Sequence, residues 1–205
     1  MQIARIYYPV KTLGPGNRIG IWTVGCPHRC YKCSNPELWK KDPSKEINLP
    51  TIRNTLLHIK TKNQIDGITI SGGEPFLFPE QLCRLVLFIK RDISEDILIY
   101  TGFTIDELYG TENPYTITIL ENIAVLIDGP YLDDLNDDTG LRGSSNQRII
   151  FIDSAYERKY ENSMLQKRLV QNVHYNGGVV SFGIPLRNYK ERLYAQLQQR
   201  GISYE

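Results

Sequence analysis

At 205 residues with 41% hydrophobic content, the chain is long enough for one domain with a real core, which excludes a disordered or low-complexity polymer. Lys and Arg number 24 against 23 Asp and Glu, a formal net charge of +1, so the whole chain implies no nucleic-acid stripe and no strongly acidic partner. No apolar run approaches the roughly 20 residues that span a bilayer, and the start "MQIARIYYPVK" lacks the basic segment and apolar core of an export signal, so a cytoplasmic protein without membrane contact is expected.

In chain order, "TLGPGNR" is a Gly/Pro loop ahead of a first core strand, "RIGIWTVG" (Arg18 to Gly25). Further strands are expected at "GITISG" (Gly67 to Gly72), "DILIYTG" (Asp96 to Gly102), "IAVLIDG" (Ile123 to Gly129), "RIIFID" (Arg148 to Asp153) and "VVSFGIP" (Val179 to Pro185). Helical patterns run from Leu49 to Lys62, Pro79 to Arg91, Thr104 to Tyr109 and Leu186 to Arg200, the second with Pro in its first turn and the last stopped by Gly201. "DSAYERKYENSMLQKRLVQNVHYNGG" is polar and weakly periodic and reads as a partly helical connection. Strands alternating with helices predict an α/β fold with a mostly parallel sheet, whose ligands bind at the carboxyl ends of the strands. There is no internal repeat or linker that would split the chain.

"VGCPHRCYKCSNPELW" places Cys26, Cys30 and Cys33 within eight positions, and the chain has only one other cysteine, Cys83. Cys83 sits in an apolar helical pattern and is expected in the core, where a free thiol behaves as a small hydrophobe. In a reducing compartment, clustered cysteines bind metal or do chemistry more often than they pair. Structural zinc sites take four ligands, usually as two separated pairs. Here no second pair follows, and His28 as fourth ligand would strain closure from between two of the cysteines. A [4Fe–4S] cluster held by three cysteines leaves one iron open to an external molecule. Gly25 lets the strand turn into the loop, Pro27 stiffens it, Trp39 packs the returning segment, and Arg29 and Lys32 read either as charges that raise the cluster's potential or steer an acidic electron donor or as ordinary solvated loop charges. His28 and Tyr31 take no assigned role. The second signal is "ITISGGEPF", Ile68 to Phe76, whose paired glycines leave backbone groups reachable by a ligand or else form an ordinary strand-to-helix turn.

The CX3CX2C spacing at the end of a strand resembles the cluster motif of the radical S-adenosylmethionine (SAM) enzymes. That resemblance implies a partial (β/α)6 half-barrel, a [4Fe–4S] cluster on Cys26, Cys30 and Cys33, and SAM chelating the open iron. It also implies reductive cleavage of SAM to a 5′-deoxyadenosyl radical. By the same resemblance Gly72, Gly73 and Glu74 receive the methionyl amino group of SAM, Tyr100, Thr101 and Gly102 lie beside SAM, and Asp128 faces the mouth of the site. Asp128 reads equally as a turn aspartate before Gly-Pro.

"GPGNR", "GCPHRCYKCSNPELW", "SGGEPF", "YTGFTIDEL", "VLIDGPY" and "LRGSSNQR", in this order over Ile6 to Arg148, resemble the activating proteins of class III anaerobic ribonucleotide reductases, relatives of the pyruvate formate-lyase activating enzyme. The resemblance implies a partner glycyl-radical enzyme as protein substrate and a flavodoxin- or ferredoxin-type electron donor. It gives Arg142, Ser144, Asn146 and Gln147 the task of holding SAM or the loop over it; read without it, the segment is a turn with a chance Arg. Two departures are visible. Lys32 stands immediately before the third cysteine, where many radical SAM enzymes carry an aromatic residue, with Tyr31 one position earlier. The chain also continues for more than fifty residues past Arg148, so a single domain over 1–205 is expected to comprise an activase-like core, 1–148, and an extension, 149–205, that completes more of the half-barrel and reshapes its rim. A reshaped rim leaves two other functions open: a radical SAM enzyme acting directly on a small molecule, nucleotide or peptide, and an iron–sulfur electron-transfer partner.

Overall fold

The β-branched runs become a six-stranded sheet in the computed structural model, which describes residues 1–175 and 178–199. Its strands are β1 (Ile3–Val10), β2 (Arg18–Thr23), β3 (Gly67–Gly72), β4 (Ile97–Tyr100), β5 (Val125–Asp128) and β6 (Arg148–Phe151), lying side by side in chain order. The pairs from β2 to β5 are parallel, and β1 and β6 close the two edges antiparallel.

Period-two alternation explains why these runs are strands buried on both faces. Ile19 and Ile21 of β2, Ile68 and Ile70 of β3, and Ile97 and Ile99 of β4 pack against the helices on one face. Trp22, Leu98, Val125 and Ile127 project into cores on the other. The covering helices are α1 (Leu49–Lys62), α2 (Pro79–Asp92), α3 (Ile105–Gly110) and α4 (Pro114–Leu120). Asn48 caps α1 by accepting from the Thr51 amide, and Thr104 and Glu107 form a reciprocal capping box on α3. Cys83 is buried on the apolar side of α2, as expected. Among the described residues no helix is long and apolar enough to cross a membrane.

Three elements depart from the sequence expectation. β1 was not expected, because Arg5 and Pro9 interrupt its apolar pattern; an antiparallel edge strand tolerates both. α4 carries the β-branched "TITI", yet Asn113 caps it from the Tyr115 amide and Pro114 opens it, so the start signal overrides local propensity. The segment after Arg148 does not add parallel units. No crossover helix separates β5 from β6, so the chain returns antiparallel. Beyond it come α5 (Glu157–Leu165), a separate antiparallel hairpin of β7 (Val170–Tyr175) and β8 (Gly178–Gly183), and α6 (Tyr189–Gln199). The expected helix stop at Arg200 and Gly201 lies outside the described residues.

At the amino ends of the parallel strands sits a buried ion pair. Arg18, fully buried, meets the Asp96 carboxylate through both terminal nitrogens at 3.0 Å each, its Nη2 also donates to Ile68 O at 2.6 Å, and its Nε donates to Thr69 Oγ1 at 2.7 Å. From α5, the Tyr160 hydroxyl donates to Asp96 at 2.5 Å and Lys159 Nζ lies 2.6 Å from the same carboxylate. Burial works against the Asp96 charge, but Arg18, Lys159 and Tyr160 together hold its carboxyl below the ordinary range. Asp96→Asn strands the Arg18 charge and is expected to cost about 3–5 kcal/mol in urea unfolding. Because the folded pKa is the lower one, the wild-type contribution is complete above the unfolded value near ~3.9 and fades as pH falls through the folded value. The variant should therefore show a flatter acid limb, and an unchanged midpoint or limb would refute the role of this pair.

Candidate active site

Parallel register brings the carboxyl ends of four strands to one rim: Thr23 pairs with Gly72, Ile70 with Ile99, and Tyr100 with Ile127. The cysteine loop leaves β2 there. Gly25, at φ +95°, makes the turn, and the Gly25 and Cys26 amides donate to the carbonyls of Leu38 and Trp39 at 2.8 and 2.9 Å, which closes the loop at its base. Inside it, Arg29 and Lys32 take left-handed φ values of +48° and +55°. All three cysteines are free thiols, half-buried, and line one cavity of about 450 Å³.

Gly72 and Gly73 also line that cavity, but the reason for glycine there is different from the expectation. A Cβ on Gly72 would lie 2.4 Å from Thr23 N, and one on Gly73 would lie 2.4 Å from Gly25 O. The missing side chains let the end of β3 press against the cysteine loop, where Gly73 N donates to Thr23 O at 2.8 Å and Glu74 N to Gly25 O at 2.7 Å. The Glu74 carboxylate, 1% exposed, accepts from the Phe76 amide, the Thr101 hydroxyl and the Gly102 amide at 3.0, 2.8 and 2.8 Å. It therefore ties β3 to β4, and the chain's own donors occupy it.

Of the other expected residues, Tyr100, Thr101 and Gly102 line the cavity, with Gly102 packed beneath the His28 ring. Asp128 does not. It is fully buried, accepts from the Ile105 amide at 2.7 Å and pairs with Arg148 at 2.6 Å. Arg142 is turned to Asp137 at 2.7 Å, Ser144 accepts from the Leu132 amide at 3.1 Å, and Asn146 donates to Pro130 O at 2.8 Å. These three shape the loop between β5 and β6 and lie outside the lining. Gln147 does line the cavity while bracing Gly143 N and Gly129 O, at 2.7 and 2.8 Å. Tyr31 is 75% exposed, away from the cavity, whereas Lys32 lines it and pairs with Asp133 at 3.0 Å.

Sequence reasoning missed His28 and Trp39 as site residues. Trp39 Nε1 and the Tyr100 hydroxyl are buried, line the cavity and have no hydrogen-bond partner, whereas His28 Nε2, also in the lining, lies 3.2 Å from Glu74. Buried polar atoms are nearly always satisfied, so their convergence on one cavity marks the place of a polar ligand. Aromatic and imidazole residues near the cysteines were the available signal. The wall formed by Gly183, Pro185 and Arg187 gave none, because it is placed by long-range packing.

The donor set fits a [4Fe–4S] cluster. Burial pushes the Cys26 thiol up against the opposing pull of the His28 and Arg29 amides, and it does the same to Cys30 against the Tyr131 amide. Such amides are the hydrogen bonds to sulfur that tune a cluster.

A family model described as "4Fe-4S single cluster domain" matches residues 12–150. The anaerobic ribonucleoside-triphosphate reductase-activating protein of Escherichia coli K12 is 35% identical over 152 residues, covering 70% of this chain and 94% of that protein. The protein of the same name from Enterobacteria phage T4 is 32% identical over 153 residues, covering 73% and 93%. A pyruvate formate-lyase-activating enzyme from Staphylococcus epidermidis is 43% identical over 77 residues, covering 35% of this chain and 31% of that one. With its three thiols, the paired glycines and the aligned strand ends in one cavity, the chain belongs to the 4Fe-4S single cluster domain family and, within the radical SAM enzymes, to the activating-protein group.

Proposed function

We propose that this chain is a radical SAM activase that installs a glycyl radical on a partner enzyme such as an anaerobic ribonucleotide reductase. The observation that carries the reading is the single cavity in which Cys26, Cys30 and Cys33 face the strand ends at Gly72, Gly73, Thr101 and Gly102. When bound, the reduced cluster would supply one electron to SAM, whose sulfonium C–S bond would break to give methionine and a 5′-deoxyadenosyl radical able to take a hydrogen atom from a glycine Cα. Everything else is done by the polypeptide. Cys26, Cys30 and Cys33 would hold the cluster and leave SAM an iron to bind, and the turn at Gly72–Gly73 lines the same cavity. The free donors at Trp39 Nε1 and Tyr100 are available to the polar parts of the cofactor. Burial holds the Tyr100 phenol well above its ordinary range, so it stays a neutral donor.

Glu74 acts here as a positioning residue rather than a SAM ligand. Its three donors lie on the two strand ends that frame the cavity, so its loss frees Thr101 and Gly102 together.

Anaerobically reconstituted protein should hold about one [4Fe–4S] cluster per chain, measured as iron and sulfide. Cys26→Ala, Cys30→Ala or Cys33→Ala should lose it together with 5′-deoxyadenosine formation, while Cys83→Ala keeps both; cluster loss in the Cys83 variant would overturn this division of the thiols.

Glu74→Gln should retain the cysteines' iron, lose about 1–3 kcal/mol of stability and bind SAM more weakly by isothermal titration. Unchanged SAM affinity would remove Glu74 from the site's support.

Mixing the reduced, SAM-loaded protein with a glycyl-radical enzyme should give a doublet glycyl-radical signal by electron paramagnetic resonance. SAM cleavage without any radical on a set of such partners would reject the activase function and retain the radical SAM chemistry.

A further inference from the structure

The family match ends at residue 150, and the Escherichia coli relative covers 70% of this chain, yet the cavity that holds the cysteines is walled on one side by Gly183, Pro185 and Arg187. Two sets of contacts hold that wall. On the side of β1, Phe182 is 3% exposed and stacks on Tyr7 and Trp22 with ring centroids at 4.6 and 4.7 Å. Thr12 Oγ1 donates to Phe182 O at 3.1 Å, and Gln171 Nε2 donates to Pro9 O at 2.8 Å. These contacts seat the hairpin in the inner core.

On the other side stands Arg168, just ahead of β7, with its side chain 1% exposed. Its Nε donates to Thr139 O at 2.9 Å and its Nη2 to Gly143 O at 2.8 Å. Its Nη1 donates to Asn136 Oδ1 at 2.7 Å and, more weakly, to Pro185 O at 3.4 Å. One planar guanidinium thus joins the loop after β5 to the wall. Beside it, Arg187 N donates to Asp138 Oδ1 at 3.2 Å, and Thr139 bridges to Lys167. Asn136, Gly143 and Pro185 all line the cavity, so the joint lies directly behind its surface.

We propose that Arg168 is a positioning residue that latches residues 183–189 to the 136–143 loop, and that the wall so fixed, with Arg187 on its face, selects which polypeptide reaches the cysteine end of the cavity. The latch stands on geometry alone. The selection rests on the activase reading and deepens it: the substrate is a glycine-bearing segment of a partner whose surface fits this wall, which lies beyond the span matched by the family. Arg187 suits that task because its donor-only fork, 47% exposed and 4.0 Å from Asp133, stands where a passing chain presents carbonyl or carboxylate oxygens.

Hydrogen exchange of the full chain, read by mass spectrometry, tests the latch without a cofactor. Arg168→Met should raise exchange about tenfold in peptides from both 136–147 and 183–189 while β3 and β4 stay protected, and Arg168→Lys should fall between because an ammonium cannot serve four spread acceptors. A rise in one segment alone, or in neither, overturns the latch. Should the Met variant fail to fold, Asn136→Ala removes the shortest acceptor of Arg168 and must loosen 183–189, or the latch falls. For selection, Arg187→Ala is offered a glycyl-radical partner that the unaltered chain activates well, in competition with the reductase of the Escherichia coli relative. The ratio of glycyl-radical yields should fall about tenfold. An unchanged ratio overturns the selection and leaves the activase reading intact; if the unaltered chain raises a radical on none of a set of glycyl-radical enzymes, that reading falls and the selection with it.

Discussion

The site depends on the bond between the cysteine loop and the end of β3, made by Gly73 N to Thr23 O and Glu74 N to Gly25 O at 2.8 and 2.7 Å. It forms because two successive residues carry no Cβ where one would strike backbone atoms at 2.4 Å. Backbone cannot rotate out of the way as a side chain can, so any larger residue at Gly72 or Gly73 pushes the strand end and the loop apart. The cysteines are therefore held by a contact that does not involve them.

Glu74 extends that contact from two strands to three. A carboxylate this buried would be costly unless its oxygens were satisfied. Here the Phe76 amide, the Thr101 hydroxyl and the Gly102 amide satisfy it, and each of these groups is thereby fixed against its neighbour. Gly102 in turn passes beneath His28, whose ring lies edge-on to Phe103 with centroids 4.5 Å apart. An anion inside the protein thus positions the groups that frame the cavity, and the unpartnered polar atoms of Trp39 and Tyr100 are left for the ligand.

The parts of this arrangement that were legible in the sequence are those written locally. Strand runs, helical patterns, the thiol spacing and the Gly-Gly-Glu stretch each depend on neighbours within a few residues. What was not legible depends on distance. The resemblance puts Asp128 at the mouth of the site, but a carboxylate there takes the cation that the next strand offers, and Arg148 is that cation. The same holds for Arg142, turned to Asp137. Phe182 reads as an ordinary strand residue until it is placed against Tyr7 and Trp22, 175 and 160 positions earlier. α4 shows the opposite case, in which local propensity misled and a two-residue start signal decided.

The extension engages both ends of the sheet, and this determines how it can be understood. At the amino ends of the strands, α5 supplies Tyr160 and Lys159 to the Arg18–Asp96 pair. Three residues beyond α5, Arg168 reaches the loop at the carboxyl end. Removing the extension would therefore expose one side of a buried ion pair and open the wall of the cavity in the same step. A buried carboxylate that has lost two of its donors is destabilised by more than the lost contacts, because its desolvation is no longer offset. A core without the extension would need a different solution around position 96, or water admitted to Arg18. The added fifty residues are thus coupled to the stability of the core through one carboxylate and to its chemistry through one guanidinium.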